Sequence, residues 1–310
     1  MSHASMQWLH APVATVALAL LLSTPLRAHA AVEDPFFTAL DRYSADDFGE
    51  CARLLGELLQ RGGHFPDGGE LLLVECTAAA GDRGQAMDYV NQLQPSGRLS
   101  FDDLLHKDRP GLNALRADPA WPDMRRRVEA AERQRLARLD APLRRELLER
   151  AARDQTAQHV AIDAGGGDAF KGVAPVARAN ADWLKSVIAD KDWPTYSQVG
   201  HDGAKAAWLI VQHADHDPAF QAQVLPLVEH AAKGGEADLP DLALLTDRVL
   251  LAQGKPQRYG SQFTTAGDGT MELRPTEDMD GLDARRQAMG LQPLAQYKAV
   301  LSEAYRKPVR

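Results

Sequence analysis

The sequence has 310 residues, a formal net charge of −8 and only two cysteines. Its hydrophobic content of 45% excludes a wholly disordered chain, and two cysteines exclude a disulfide-rich scaffold. Nucleic-acid binding needs clustered Lys and Arg to neutralise phosphates, so the acidic balance argues against a nucleic-acid partner. The length predicts two structural modules, because a single hydrophobic core rarely serves so many residues.

The first 30 residues have the features of a secretory signal peptide. An uncharged apolar run over residues 11–22 is followed by Ala28-His29-Ala30, a small-residue pattern at which such peptides are cleaved. The run is shorter than the roughly 20 residues that span a bilayer. No Lys or Arg precedes it, so an uncleaved anchor and a start at Met6 are the alternatives. We predict cleavage after Ala30 and a periplasmic or secreted protein without a membrane span.

The two cysteines, Cys51 and Cys76, lie on two predicted helices that cover residues 46–59 and 69–80. A segment rich in glycine, residues 61–68, joins these helices, and antiparallel pairing would place both cysteines at similar distances from the turn. An oxidising compartment permits a disulfide bond. Two buried thiols are the alternative. We predict a disulfide that joins the two helices.

Helical spacing continues beyond this hairpin, with a turn at Gly81-Asp82-Arg83-Gly84 and a later Asp118-Pro119 followed by Trp121. The region from Gly69 to Met124 resembles the degenerate end of tetratricopeptide-type repeat arrays. The resemblance implies a short helical module over residues 31–128 that binds a protein or peptide partner. The alternative is a packing module or spacer, because stacked repeats generally need three or more units for stability.

A charged helical connector is predicted over residues 129–142, where Arg and Glu recur at helical ion-pair spacing. Pro142 is predicted to end this helix, so that the second domain covers residues 143–310. Within that domain, periodicity predicts amphipathic helices over 176–190 and 217–233 and a loop over 193–200. Residues 264–273 predict a small β-hairpin.

Two further helices, over residues 204–214 and 242–252, are apolar around nearly their whole circumference. Such helices are normally central and buried, and a charged residue on them needs a partner or a cleft. The polar residues on or just after these helices are Gln212, His213, Asp215, Asp247 and Arg248. We therefore predict a mostly α protein, in which a short tetratricopeptide-like helical hairpin module precedes a compact helical domain with a small β-hairpin.

The segments WPTYSQVG, AAWLIVQHAD, LALLTDRVLLAQGKPQRYGSQF and RRQAMGL resemble an uncharacterised bacterial domain family, a domain of unknown function, over residues 143–301. The resemblance supplies no established reaction. It implies one polar cluster, made of Asp154, Gln155, Gln212, His213, Asp247, Arg248, Gln257, Tyr259, Gln262, Arg285 and Arg286. The family usually places an Arg three residues after its Asp-Gln pair. This chain has Gln158 at that position. Gln158 carries no charge, so it does not balance the charge of Asp154.

Three hypotheses compete for this cluster. In the favoured hypothesis it binds a peptide, a glycan or a small ligand, through Asp154, Gln155, Gln212, Gln257, Tyr259, Gln262, Arg285 and Arg286. In an enzyme, resembling a periplasmic hydrolase, His213 would be the general base, oriented by Asp215 or Asp247, and Arg248 would stabilise negative charge. In the third hypothesis, Asp247 forms a buried ion pair and His213 is a satisfied core residue.

A zinc version of the enzyme would combine His213 with Asp215, Asp217, His216 or His201. Their spacing matches no strong zinc motif. We therefore predict neither a metal nor another cofactor.

Overall fold

The structure is a computed structural model that describes residues 34–63, 65–164 and 171–310. The predicted signal peptide lies outside the described residues. Within them, the predicted mostly α fold is confirmed: fourteen α-helices accompany one small antiparallel sheet of two strands. None of the helices in these ranges is long and apolar enough to cross a membrane.

The helices are α1 (Pro35–Ser44), α2 (Phe48–Gln60), α3 (Gly69–Ala79), α4 (Arg83–Leu93), α5 (Phe101–His106), α6 (Pro110–Arg116), α7 (Trp121–Leu136), α8 (Ala141–Asp163), α9 (Ala174–Lys191), α10 (Tyr196–Gln212), α11 (Pro218–Lys233), α12 (Leu239–Ala252), α13 (Leu282–Ala288) and α14 (Leu294–Tyr305). Strands β1 (Phe263–Thr265) and β2 (Met271–Leu273) form the predicted hairpin, in which Thr264 pairs with Glu272.

Contacts divide the described chain into two compact units. The first unit comprises residues 34–135 and Arg286–Lys307, and the second comprises Leu136–Arg285 and Pro308–Arg310. The sequence analysis assigns residues 286–307 to the C-terminal domain, whereas their contacts group them with the first unit. Domain boundaries at 128 and 142 stay predictions.

The first unit is built around α3, whose residues 69–78 are all buried. Helices α2, α4 and α6 pack against it. The predicted disulfide is present: Cys51 on α2 and Cys76 on α3 are bonded, with Cα atoms 5.9 Å apart. The bond therefore links the central helix of this unit to a neighbour.

Helix α3 also carries two buried carboxylates, and each has partners. The Glu75 carboxylate accepts hydrogen bonds from the Tyr43 hydroxyl at 2.5 Å and from Arg109 Nη1 at 2.8 Å. Glu70 accepts from Arg98 Nε at 2.5 Å, and burial raises the pKa of the Glu70 carboxyl. These bonds offset the desolvation of charged groups on a helix without a solvent face.

The second unit is built around α10, which packs against α8, α9 and α11. Residues 206–212 are buried on every side, as predicted for an apolar helix. The predicted loop over 193–200 is present only at residues 193–195, because α10 begins at Tyr196. Gly200, at φ +77°, interrupts the regular helix, and this left-handed conformation is available to glycine without steric cost. The breaker residues of this segment therefore bend a helix and do not prevent it.

Prolines and caps set several helix starts in this unit. Asp217 accepts the N–H of Phe220 and Pro218 is in the first turn of α11, as predicted. The chain leaves helical geometry between Leu136 and Ala141, so Pro142 lies in the first turn of α8. Pro142 therefore begins a helix, whereas the sequence analysis expected it to end one.

Candidate functional site

Asp154 and His213 form a hydrogen-bonded pair where the side of α8 meets the C-terminal end of α10. The Asp154 side chain is 1% exposed, and its Oδ2 bonds His213 Nδ1. A carboxylate only accepts hydrogen bonds, so Nδ1 is the donor in this bond and Nε2 is the ring nitrogen that the bond leaves unused. The His213 side chain is 19% exposed. Asp154 therefore has a hydrogen-bond partner at the C-terminal end of α10.

Asp215 pairs with Arg248 instead of with His213. Arg248 Nη1 donates to Asp215 Oδ1 at 2.5 Å. Gln221 Nε2 donates to the same carboxylate oxygen at 3.3 Å and to the carbonyl oxygen of Val211 at 3.0 Å. The sequence analysis named Asp215 or Asp247 as the group that orients His213, but the carboxylate bonded to His213 is that of Asp154. The reason is helix packing, which sets α8 along α10.

Three buried polar atoms at this end of α10 have no hydrogen-bond partner among the described residues. They are Asp154 Oδ1, Gln212 Oε1 and Arg248 Nε. A buried polar group without a partner costs about 1–3 kcal/mol. We call Asp154, Gln212, His213, Asp215 and Arg248 the α10 polar site. Asp154 and His213 form one bonded pair of this set, and Asp215 and Arg248 form another.

Asp247 is fully buried and binds the backbone of the loop that follows α12. Its Oδ1 accepts the N–H groups of Arg258 at 2.7 Å and Tyr259 at 2.9 Å, and its Oδ2 accepts that of Ser261 at 2.9 Å. Consecutive helical residues point about 100° apart. Asp247 therefore holds the loop while its neighbour Arg248 faces Asp215.

Gln257 holds the same loop from within. Its Nε2 donates to the carbonyl oxygens of Gln262 and Arg274 and to Thr276 Oγ1, and its Oε1 accepts the Gln262 N–H. The Gln257 side chain is buried, and these bonds use both polar atoms of its amide. Its observed role is thus to fix residues 257–262 against residues 274–276, which follow the hairpin.

Arg285, in the middle of α13, also bonds backbone carbonyls. Its Nε donates to the carbonyl oxygen of Arg258 at 3.0 Å. Its Nη2 donates to the carbonyl oxygens of Glu277 and Asp278, and its Nη1 to the Asp278 carboxylate. The loop is therefore held by three side chains, Asp247, Gln257 and Arg285, whose types and positions in the sequence predicted a catalytic or ligand-binding role.

The remaining predicted site residues are distributed more widely. Tyr259 is half-buried, and burial raises the pKa of its hydroxyl. Gln262 Nε2 donates to Ser261 Oγ at 3.0 Å, and Gln155 is half-buried on α8. Arg286 belongs to the first unit, where its Nε donates to the carbonyl oxygen of Gln292 and its guanidinium lies 4.9 Å from the centroid of the Tyr297 ring.

Gln221 and Asn180 are among the buried polar residues that were not predicted from the sequence. Gln221 supports Asp215 from α11, and Asn180 on α9 accepts a hydrogen bond from Arg150 Nη1 at 3.3 Å. Both lie in helices predicted as amphipathic, and the available signal was a polar residue on the buried face of the helix. Within the described ranges, no group of three or more His, Cys, Asp or Glu side chains is arranged to hold a metal ion.

Comparison with known proteins gives one result. No curated protein matches the chain, and no solved structure matches it. The model of DUF6624, a family of unknown function, matches residues 141–310, which is more than half of the chain. The match covers the C-terminal region, from the start of α8 through the α10 polar site and the hairpin. The chain therefore belongs to the DUF6624 family.

Proposed function

We propose that the C-terminal domain binds a polar ligand at the α10 polar site. The observation that supports this proposal is the set of three buried atoms without partners on Asp154, Gln212 and Arg248, of which Asp154 also forms the bonded pair with His213. Asp154 Oδ1 and Gln212 Oε1 accept hydrogen bonds, whereas Arg248 Nε donates one. A matching ligand carries both donor and acceptor groups, as a peptide, a glycan or a small polar molecule does.

The contrast with Asp247 and Gln257 also supports a binding role for this site. The bonds of those two side chains go largely to the backbone, so they serve the structure of the loop. The α10 polar site keeps hydrogen-bonding capacity that the protein itself does not use. Buried groups of this kind lower stability, and a ligand that bonds them offsets the cost.

Replacing Gln212 with leucine tests the proposal. The substitution removes the unpartnered amide oxygen at similar size, so the free protein is expected to keep its stability or gain up to about 2 kcal/mol. The same change removes an acceptor from the site, so ligand binding is lost. Thermal unfolding with a panel of dipeptides and disaccharides measures both effects. Gln223→Leu, at an exposed position of α11, is the matched control. A panel compound that stabilises Gln212→Leu as much as the natural protein contradicts the proposal.

A second candidate function is hydrolysis with His213 as the general base. The observation in its favour is the bond from Nδ1 to a buried carboxylate, which leaves Nε2 of a part-exposed ring as the basic atom. An imidazole oriented in this way can take a proton from water during attack on an ester or amide. Arg248 is the group that would then stabilise the negative charge that develops.

Asp154→Asn tests this second function. The variant keeps the size of the side chain but removes the charge that holds the imidazole, so hydrolysis of a 4-nitrophenyl ester is expected to fall about 10²- to 10⁴-fold. The initial rate across pH measures the loss, and His213→Gln should fall at least as far. Asp163→Asn, exposed on the same helix, is the control. Equal rates for Asp154→Asn and the natural protein contradict a general base at His213.

We also propose that the protein is exported to the periplasm or the medium and that its N-terminal helical module binds a protein or peptide partner. The disulfide between Cys51 and Cys76 supports an oxidising compartment. Packing of α3 against α2 and α4 supports a module of paired helices, the arrangement that tetratricopeptide-like repeats use for partner binding.

A further inference from the structure

The two nitrogens of the His213 ring have different surroundings. Nδ1 donates to Asp154, whereas Nε2 has no hydrogen-bond partner in the described part of the chain. When the ring is neutral, its lone pair therefore lies on Nε2. The side chain is 19% exposed, so a small reagent can reach the ring from solvent.

Two features stabilise positive charge on this ring. The Asp154 side chain is 1% exposed, and its Oδ1 has no partner among the described residues, so its charge acts mainly on His213. Asp247, by contrast, shares its charge among three backbone N–H groups. His213 is also the C-cap of α10, where the helix dipole favours a cation. A reaction that places positive charge on the imidazole is therefore stabilised by Asp154 and by the helix end.

Within the described residues, no hydroxyl or thiol nucleophile accompanies the Asp154–His213 pair. The ring bonds Asp154, and both cysteines are joined in the disulfide. In serine and cysteine hydrolases the imidazole bonds the attacking hydroxyl or thiol. The atoms left to attack a substrate here are those of water and Nε2 itself. Histidine is among the side chains that form covalent intermediates.

We propose that Nε2 of His213 is a nucleophile that accepts an acyl group from an ester. Its lone pair attacks the carbonyl carbon, the C–O bond breaks, and the alcohol or phenol leaves with the electron pair and takes a proton from water. The acyl-imidazolium stays paired with Asp154. A water molecule then adds to the acyl carbon and loses a proton, and the C–N bond breaks. That step returns the electron pair to Nε2 and releases the carboxylic acid.

The charge around the ring selects the class of substrate. Asp154 and the C-terminal end of α10 place negative charge beside His213. Negative charge repels a phosphoryl anion, whereas an uncharged acyl group is not repelled. The inference rests on the second candidate function, hydrolysis, and makes His213 the attacking atom instead of a base that activates water.

The first test measures the nucleophilicity of each histidine without turnover. Diethyl pyrocarbonate transfers an ethoxycarbonyl group to imidazole nitrogen, and peptide mass spectrometry of the full chain gives the rate at each position. We expect His213 to react about 10-fold faster than His216 and His230, although both of these are more exposed. Rates that follow exposure, with His213 slower than His216 and His230, overturn the proposal.

The chain supplies a matched control for the carboxylate. His106 Nδ1 also bonds a carboxylate, that of Asp102, but both side chains are exposed. Asp154→Asn should lower the rate at His213 about 10-fold, because the charge that stabilises the imidazolium is lost. Asp102→Asn should leave the rate at His213 unchanged. Circular dichroism verifies the fold of each variant, and an unchanged His213 rate in folded Asp154→Asn overturns the proposal.

The second test detects the acyl intermediate by partition. Phenyl acetate and 4-nitrophenyl acetate are hydrolysed in the presence of hydroxylamine, and the background of the His213→Gln variant is subtracted. Both esters should give the same ratio of acetohydroxamate to acetate, because both pass through one acyl-imidazole. Ratios that differ between the esters overturn the proposal and leave a general base at His213 standing. Hydrolysis no faster than that of His213→Gln overturns both.

Discussion

Replacing Asp247 with alanine is expected to lower the free energy of unfolding by about 4 kcal/mol, because a hydrogen bond to a charged group contributes about 1.5–3 kcal/mol and the variant loses several. The carboxylate accepts three backbone N–H groups from residues 258–261 in a fully buried setting. Its removal leaves those N–H groups without their acceptor. Urea unfolding measures the change, and Glu272→Ala, at an exposed position of β2, should stay within about 0.5 kcal/mol.

The Asp247→Asn variant is expected to lose less stability than Asp247→Ala. Asparagine keeps one acceptor oxygen, so it can satisfy Arg258 and Tyr259, but its amide nitrogen then faces the N–H of Ser261. We expect a loss of about half that of the alanine variant. Hydrogen exchange should accelerate at the amides of residues 258–261 in both variants. If Asp247 instead contacts a ligand as a catalytic group, exchange at these amides stays as slow as in the natural protein.

Breaking the disulfide between Cys51 and Cys76 is expected to lower the free energy of unfolding by about 3 kcal/mol on the chain-entropy model. The bond joins residues 25 apart in sequence, and both cysteines are fully buried. Urea unfolding with and without a reductant measures the loss while both side chains stay in place. The Cys51→Ala, Cys76→Ala double variant should lose at least as much and should not respond to the reductant.

The same two cysteines test the proposal of export. Protein recovered from the periplasm or the medium and denatured without a reductant should show no free thiol by alkylation and mass spectrometry, and its chain should begin at Ala31. Alkylation at both positions would show reduced thiols and would contradict the disulfide. That result would also remove the structural support for an oxidising compartment.

Local sequence signals were enough to predict the positions of most helices of the second unit. The predicted helix over 217–233 matches α11, because an Asp–Pro start and an apolar stripe act over a few residues. The predicted helix over 242–252 lies within α12. Prediction failed at residues 196–200 of the predicted loop, where the structure has a bent helix. The packing of α10 against its neighbours stabilises a helix there although the local helix propensity is weak. Helix propensity, which is all that the local sequence supplies, does not include the stabilisation that comes from packing.

Partners across the fold could not be read from local signals. His213 is bonded to Asp154, 59 residues away, although Asp215 is much closer in sequence. Asp247 looked like one half of a buried ion pair, and its partners are backbone N–H groups of a loop. A sequence shows which polar residues occupy apolar helices. It does not show the direction in which each side chain points once helices pack.

By itself the sequence determined the mostly α fold, the hairpin, the pairing of Cys51 with Cys76 and the two apolar helices that carry polar residues, because periodicity, breakers and turn residues act locally. Only the tertiary structure decided which of those residues meet. It divided them into a loop anchored by Asp247, Gln257 and Arg285 and two side-chain pairs, Asp154 with His213 and Asp215 with Arg248. The physical reason is that hydrogen bonds form between residues that are close in space. Helix packing determines which residues those are, and it depends on the whole chain.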